Sequence, residues 1–229
     1  MRLNKFISSC GLSSRRRADD LIASGMVRVN GEIIRTVGVS VDPDRDTVTV
    51  RGHACVPREN FTYLVLHKPL GYVCTNRRFR SEKSIFQLLP RVYQHLKIAG
   101  RLDKDSAGLV VLTDDGELIN TMTHPKFQHE KEYAVTLDQP LGKGELAALR
   151  RGVRLTEGLA KADMIVPVLG VTYRIVLHQG WNRQVRRMFN GVRRSVVALK
   201  RIREGNLSLG ILSPGKFRLI SRDDLIRKN

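Results

Sequence analysis

Apolar residues recur at helical spacing over Leu3–Ser9, and Gly11 is placed to close that helix. A second helix is predicted over Arg15–Ala23, capped by Ser13 or Ser14. Ala18, Leu21 and Ile22 share its apolar face, Arg15, Arg16 and Arg17 lead its first turns, and Gly25 ends it. Val27-Arg28-Val29 then alternates as a strand into Asn30-Gly31, a strong hairpin signal before Glu32-Ile33-Ile34. Thr47–Val50 adds one more short strand. The first 52 residues therefore read as a self-contained small α/β domain. His53–Asn60 has no periodicity and contains Pro57, so residues 53–60 read as a linker.

From Phe61 to the end, residues 61–229 alternate strands and helices. Strands are predicted at Tyr63–Leu66, Leu109–Leu112, Glu132–Leu137 and Val196–Ile202. Met164–Val168 and Thr172–His178 form a hairpin across Leu169-Gly170-Val171. Helices are predicted at Glu117–Met122, Lys143–Arg151 and Arg183–Phe189, and Ser221 can cap a last one. This order implies an α+β protein whose larger domain is a mixed, largely antiparallel sheet decorated with helices.

Charge narrows the function. Forty Lys and Arg against 22 Asp and Glu give a formal net charge of +18, and 41% hydrophobic residues support a packed core. So large an excess points to a polyanionic partner, nucleic acid first and acidic membrane second. No apolar run approaches the ~18 residues a membrane span needs. The first residues carry too much charge after too short an apolar stretch for a signal peptide. Cys10, Cys55 and Cys74 have no CxxC spacing, which suggests reduced thiols in a cytoplasm and no zinc site. The expectation is a soluble cytoplasmic protein, a monomer with no membrane partner, that binds RNA or DNA.

Gly100–Gly116, GRLDKDSAGLVVLTDDG, is the most informative stretch. It sets Asp103 between Arg101 and Lys104 at the mouth of the buried strand Leu109–Leu112, which would hold the loop rigidly. Asp103, Asp105, Gly108 and Asp114 also fall at positions 1, 3, 6 and 12 of a calcium loop. Ala107 at a ligand position, Asp in place of the terminal Glu, and the apolar run argue against that use.

The first segment, RLNKFIS through SSRRRADDLIASGMVRVNG, resembles an S4-like RNA-binding domain. That resemblance assigns Arg15, Arg16 and Arg17 to RNA phosphates. The net charge of residues 1–52 is only +3, so this is a modest docking module. Further on, Lys68-Pro69-Leu70-Gly71-Tyr72-Val73, the GRLD segment, Glu130-Lys131-Glu132-Tyr133-Ala134-Val135 and Gly180-Trp181-Asn182-Arg183-Gln184-Val185-Arg186-Arg187-Met188 resemble, in order, the motifs of RsuA-type bacterial ribosomal RNA pseudouridine synthases. The Asn-Arg-Gln-Val-Arg-Arg-Met form is more similar to members acting on large-subunit RNA.

The resemblance implies isomerisation of uridine in ribosomal RNA, 23S before 16S, with no metal or organic cofactor. A catalytically silent RNA-binding assembly factor is the alternative. Asp103 would be the catalytic carboxylate, acting as nucleophile or as general base. Tyr133 would pack on the target base, and the guanidinium of Arg186 would pair with Asp103. Arg101, Arg183 and Arg187 would bind substrate as cations; nine Lys or Arg and no acid lie between Arg174 and Arg203. Gln179 stands where the family usually has Glu, and Phe189–Ser195 lacks the family's glycine at its customary place.

Overall fold

The structure, a computed structural model, describes residues 1–76 and 81–225. The chain divides into two compact units, Met1–Phe61 and Thr62–Asn229.

In the first unit, α1 (Leu3–Ser9) and α2 (Arg15–Ala23) pack on a four-stranded sheet of order β2-β1-β3-β4, made of β1 (Val27–Val29), β2 (Glu32–Ile34), β3 (Val48–Val50) and β4 (His53–Ala54). The hairpin is the one its sequence demands: Asn30 and Gly31 both adopt positive φ, 50° and 87°, which matches the twist of the flanking strands. Ser14 caps α2, its side chain accepting from the Arg17 N–H. Leu3, Phe6, Ile7, Ala18, Ile22 and Val27 close the core, and Arg15, Arg16 and Arg17 stay exposed. The segment expected as linker starts differently. His53–Ala54 pair with β3 and the Cys55 side chain is buried, so these residues finish the first sheet.

The second unit begins with β5 (Tyr63–Lys68), followed by β6 (Tyr72–Val73) and β7 (Lys83–Ser84), which pair with each other in parallel. Then come β8 (Lys97–Ala99), β9 (Ala107–Thr113), α3 (Gly116–Thr123), β10 (Lys131–Leu137), α4 (Lys143–Arg151) and the hairpin β11 (Val153–Leu155) and β12 (Gly158–Ala160). The long hairpin β13 (Met164–Leu169) and β14 (Thr172–Leu177) leads to α5 (Gln184–Gly191), β15 (Val196–Glu204), β16 (Leu207–Ser208) and β17 (Phe217–Leu219). Residues 222–225 form a turn, not the start of the expected last helix; 226–229 lie outside the described residues.

The main sheet runs β13-β14-β10-β15-β9-β5-β17, with β16 on β15 and β8 on β9. Every pairing in it is antiparallel except β15 with β9. Strand β9 reads as an unbroken apolar run because both its faces are covered. Leu109 and Val111 pack with Leu118 and Met122 of α3, while Val110 and Leu112 pack with Ile85, Phe86 and Leu96. All four are inaccessible to solvent, and each such side chain contributes roughly 1.5–3 kcal/mol on burial. The loop that precedes β9 thus springs from the most firmly held strand of the sheet.

Candidate active site

That loop, residues 100–106, is fastened by its backbone. Lys68, fully buried at the end of β5, donates its ammonium to the carbonyls of Ser106 (2.5 Å), Pro69 (3.1 Å) and Lys104 (3.4 Å). Burial pushes this lysine below its ordinary pKa, opposed by the charges of Cys74, Asp105 and Asp103. The Gly71 N–H donates to the Lys104 carbonyl at 2.9 Å, and the Leu102 N–H to Cys74 Sγ at 3.4 Å. On the other side, the buried Arg201 of β15 donates from Nε to the Leu109 carbonyl (2.8 Å) and from Nη2 to the Gly100 carbonyl (3.3 Å). One guanidinium therefore ties the start of the loop to the strand that follows it.

Asp103 projects from this frame with about a third of its side chain exposed, and Arg183 stands 3.9 Å from its carboxylate. Arg183 sits just before α5 in the left-handed region (φ 48°), so the helix begins one residue later than the sequence predicts. That turn sends its guanidinium across to the loop, where it holds Asp105 in a two-pronged contact at 3.0 and 2.8 Å. Hydrogen bonding to Arg183 holds the Asp105 carboxyl below the usual carboxylate range.

The expected Arg186–Asp103 pair does not form. Arg186 lies in the first turn of α5, and its Nη atoms are anchored on two carbonyls, Val196 at 2.9 Å and Asp105 at 2.6 Å. Its Nε faces the Asp105 carboxylate at 3.3 Å. Arg186 thus meets Asp105 in place of Asp103. Arg187 is also diverted: it grips Glu157, in the turn between β11 and β12, through two bonds of 2.8 Å. Arg101 is exposed at the loop, as expected.

Tyr133 of β10 lies directly opposite Arg201 of β15, next to a bulge, so the charge of the guanidinium bears on the phenol. Burial raises the phenol's pKa. Behind them Glu204 is fully buried, 3.2 Å from Arg201 and cross-strand from Lys131. Arg201 keeps its proton because Glu204 offsets the desolvation of its charge. A cavity of about 990 Å³ opens over this floor, lined among others by Arg101, Asp103, Tyr133, Trp181, Arg183 and Arg201. It brings a carboxylate, a phenol and three guanidinium groups around one space, with Asp103 the one acid of its lining among the described residues. Among the described residues no cluster of His, Cys, Asp or Glu is arranged to hold a metal ion.

Residues 62–191 match the family described as RNA pseudouridylate synthase, and residues 1–46 match the S4 domain. This chain belongs to the RNA pseudouridylate synthase family. The synthase is similar along almost its whole length to proteins of known class. It is 35% identical over 232 residues to the ribosomal large subunit pseudouridine synthase B of Bacillus subtilis, covering 99% of this chain and 94% of that one. It is 37% identical over 228 residues to the dual-specificity RNA pseudouridine synthase of Escherichia coli, covering 99% and 77% of the two chains. A crystal structure of a pseudouridylate synthase superposes with a TM-score of 0.71 at 32% identity, covering 98% of this chain and 97% of that one. The protein is thus an RNA-binding isomerase. Among its described residues no helix is long and apolar enough to cross a membrane.

Lys68, Asp105, Arg201 and Glu204 are members of this synthase's site that reasoning from sequence did not assign. One further group gives it a pH signature. Burial, aided by the charges of Lys131, Arg201 and Arg203, pushes His129 from 6.5 down to about 4. The unfolded chain takes up that proton near pH 6.5 while the folded one refuses it until about 4, so the associated stability is present above 6.5 and lost as pH falls between those values. We expect a loss of about 1–2 kcal/mol, allowing for partial exposure, in urea titrations across that window. The variant His129→Gln should flatten it.

Proposed function

We propose that this enzyme isomerises uridine at one or a few defined sites in ribosomal RNA, 23S before 16S, as an RsuA-type member closer to those acting on the large subunit. The reading rests on one observation: an Asp103 carboxylate held by a rigid backbone, opening into a cavity floored by Tyr133 and walled by cations. The relative named for the large ribosomal subunit supports the choice of RNA. We place the reaction in the cytoplasm and assign it to a monomer.

Forming pseudouridine breaks the bond between ribose C1′ and uracil N1, turns the base and joins C1′ to C5; the proton lost from C5 is balanced by one taken up at N1. Asp103 either attacks as nucleophile or removes a sugar proton as base. Tyr133 supports the base on its ring. Stacking on such a ring is worth about 1–3 kcal/mol, comparable to the few kcal/mol needed to swing a nucleotide out of its stack, so phosphate contacts supply the remainder. Arg101 and Arg183 serve that purpose at the cavity, with Arg186 and Arg187 holding the surrounding wall and Arg15, Arg16 and Arg17 of residues 1–52 docking RNA.

A pseudouridine map of ribosomal RNA from cells lacking the protein tests the proposal. The expected result is loss of pseudouridine at one or a few positions of 23S RNA. Loss confined to 16S RNA would overturn the choice of subunit, and an unchanged map in both RNAs would overturn the substrate.

A further inference from the structure

The cavity around Asp103, at about 990 Å³, stands at the upper end of the range that encloses a whole small ligand, and it has room beyond one flipped nucleotide. Trp181, the only tryptophan of the chain, helps form its wall and is half-buried there. The indole is fixed from behind. A Cβ at Gly158 of β12 would stand 3.4 Å from its Cη2, and the ring packs against the core that includes Val185 and Met188. The backbone N–H of Trp181 donates to Gln184 Oε1 at 3.1 Å, tying the residue's main chain to the first turn of α5.

A rigid aromatic ring at the edge of an RNA-binding cavity offers a platform for a base. Arg183 follows it by two residues and reaches to 3.9 Å from Asp103, so a cation of the wall stands beside the carboxylate. We infer that Trp181 carries the nucleobase next to the target uridine, with the phosphate that joins the two nucleotides on Arg183. This inference rests on the reading of the Asp103 cavity as the uridine site. The phosphate must compete with Asp105 for the Arg183 guanidinium, which makes engagement of this subsite depend on a base being present to stack. Because every base has a π face, the platform gives affinity with little sequence preference.

Two measurements test it on the full-length protein. In the first, isomerisation is followed by tritium release from ribosomal RNA transcripts labelled at uridine C5. Trp181→Leu fills the space but cannot stack, and should raise KM about tenfold with kcat within about twofold, while Trp181→Phe restores most of the affinity. An unchanged KM for the leucine variant, or a fall in kcat without a change in KM, would overturn the inference. In the second, the fluorescence of the lone tryptophan is read in the Asp103→Asn protein. Oligouridylate should quench it, and an abasic ribose-phosphate oligomer of equal length should not. Equal quenching by both would show that the indole senses phosphate rather than a base, and would sink the idea. Undiminished tritium release by Asp103→Asn, by contrast, would fail the uridine-site reading itself and leave a different signature.

Discussion

Replacing Asp103 by asparagine is expected to lower kcat for pseudouridine formation at least about a thousandfold, with RNA affinity changed by less than about threefold. Asparagine keeps the size and most hydrogen-bonding capacity of the side chain, but it can neither attack a sugar carbon nor accept its proton. The fold should not register the change. The loop is secured by main-chain contacts to Lys68, Gly71, Cys74 and Arg201, none of which uses the Asp103 carboxylate. Its one ion pair among the described residues is the 3.9 Å approach to Arg183, exposed enough to add little stability. Carbodiimide-blocked primer extension on ribosomal RNA measures the outcome. Equal modification by wild type and variant would refute Asp103 as the reacting group.

The second large effect concerns folding. Gly108 has φ +115°, a conformation that side chains rarely adopt, and a Cβ there would stand 2.2 Å from the Arg201 carbonyl oxygen and 2.5 Å from its nitrogen. The obstacles are backbone atoms of β15, in the pairing that joins β15 to β9 in parallel register, Arg201 opposite Gly108. Nothing flexible can give way. Gly108→Ala should therefore cost at least about 3 kcal/mol through combined strain and overpacking, and lower the melting temperature by roughly 6–12 °C. Gly116→Ala is the control, since no atom lies within 4 Å of the added carbon. Thermal unfolding followed by circular dichroism compares them, and equal melting of the two variants would contradict the close-approach argument.

Strong periodicity or a strong punctuating residue made most elements readable. Helices over Leu3–Ser9, Arg15–Ala23 and Lys143–Arg151 and the Asn30-Gly31 hairpin match the structure, because each has an amphipathic face or a turn residue that admits few alternatives. Lys97–Ala99, the β11–β12 hairpin and Phe217–Leu219 are too short to show a period, and their pairing comes from neighbours distant in the chain. In the site, Asp103, Tyr133 and Arg183 were singled out by the motifs they share with the synthases, and the structure brings all three to one cavity. Lys68 and Arg201 did not, because a cation inside an apolar strand reads as an interruption. Only the fold shows the carbonyls and the Glu204 carboxylate that make such burial tolerable. The misplaced Arg186 partner has a similar origin. Sequence spacing says which turn of a helix a side chain leaves from, but not which of two acids two residues apart it meets.

The ammonium of Lys68 grips oxygen atoms that every amino acid carries. Its hold on positions 104 and 106 is blind to what those residues display toward solvent. Mutation over generations can therefore rewrite the surface beside Asp103, retuning which RNA contours it welcomes, while the aim of that carboxylate is inherited unchanged.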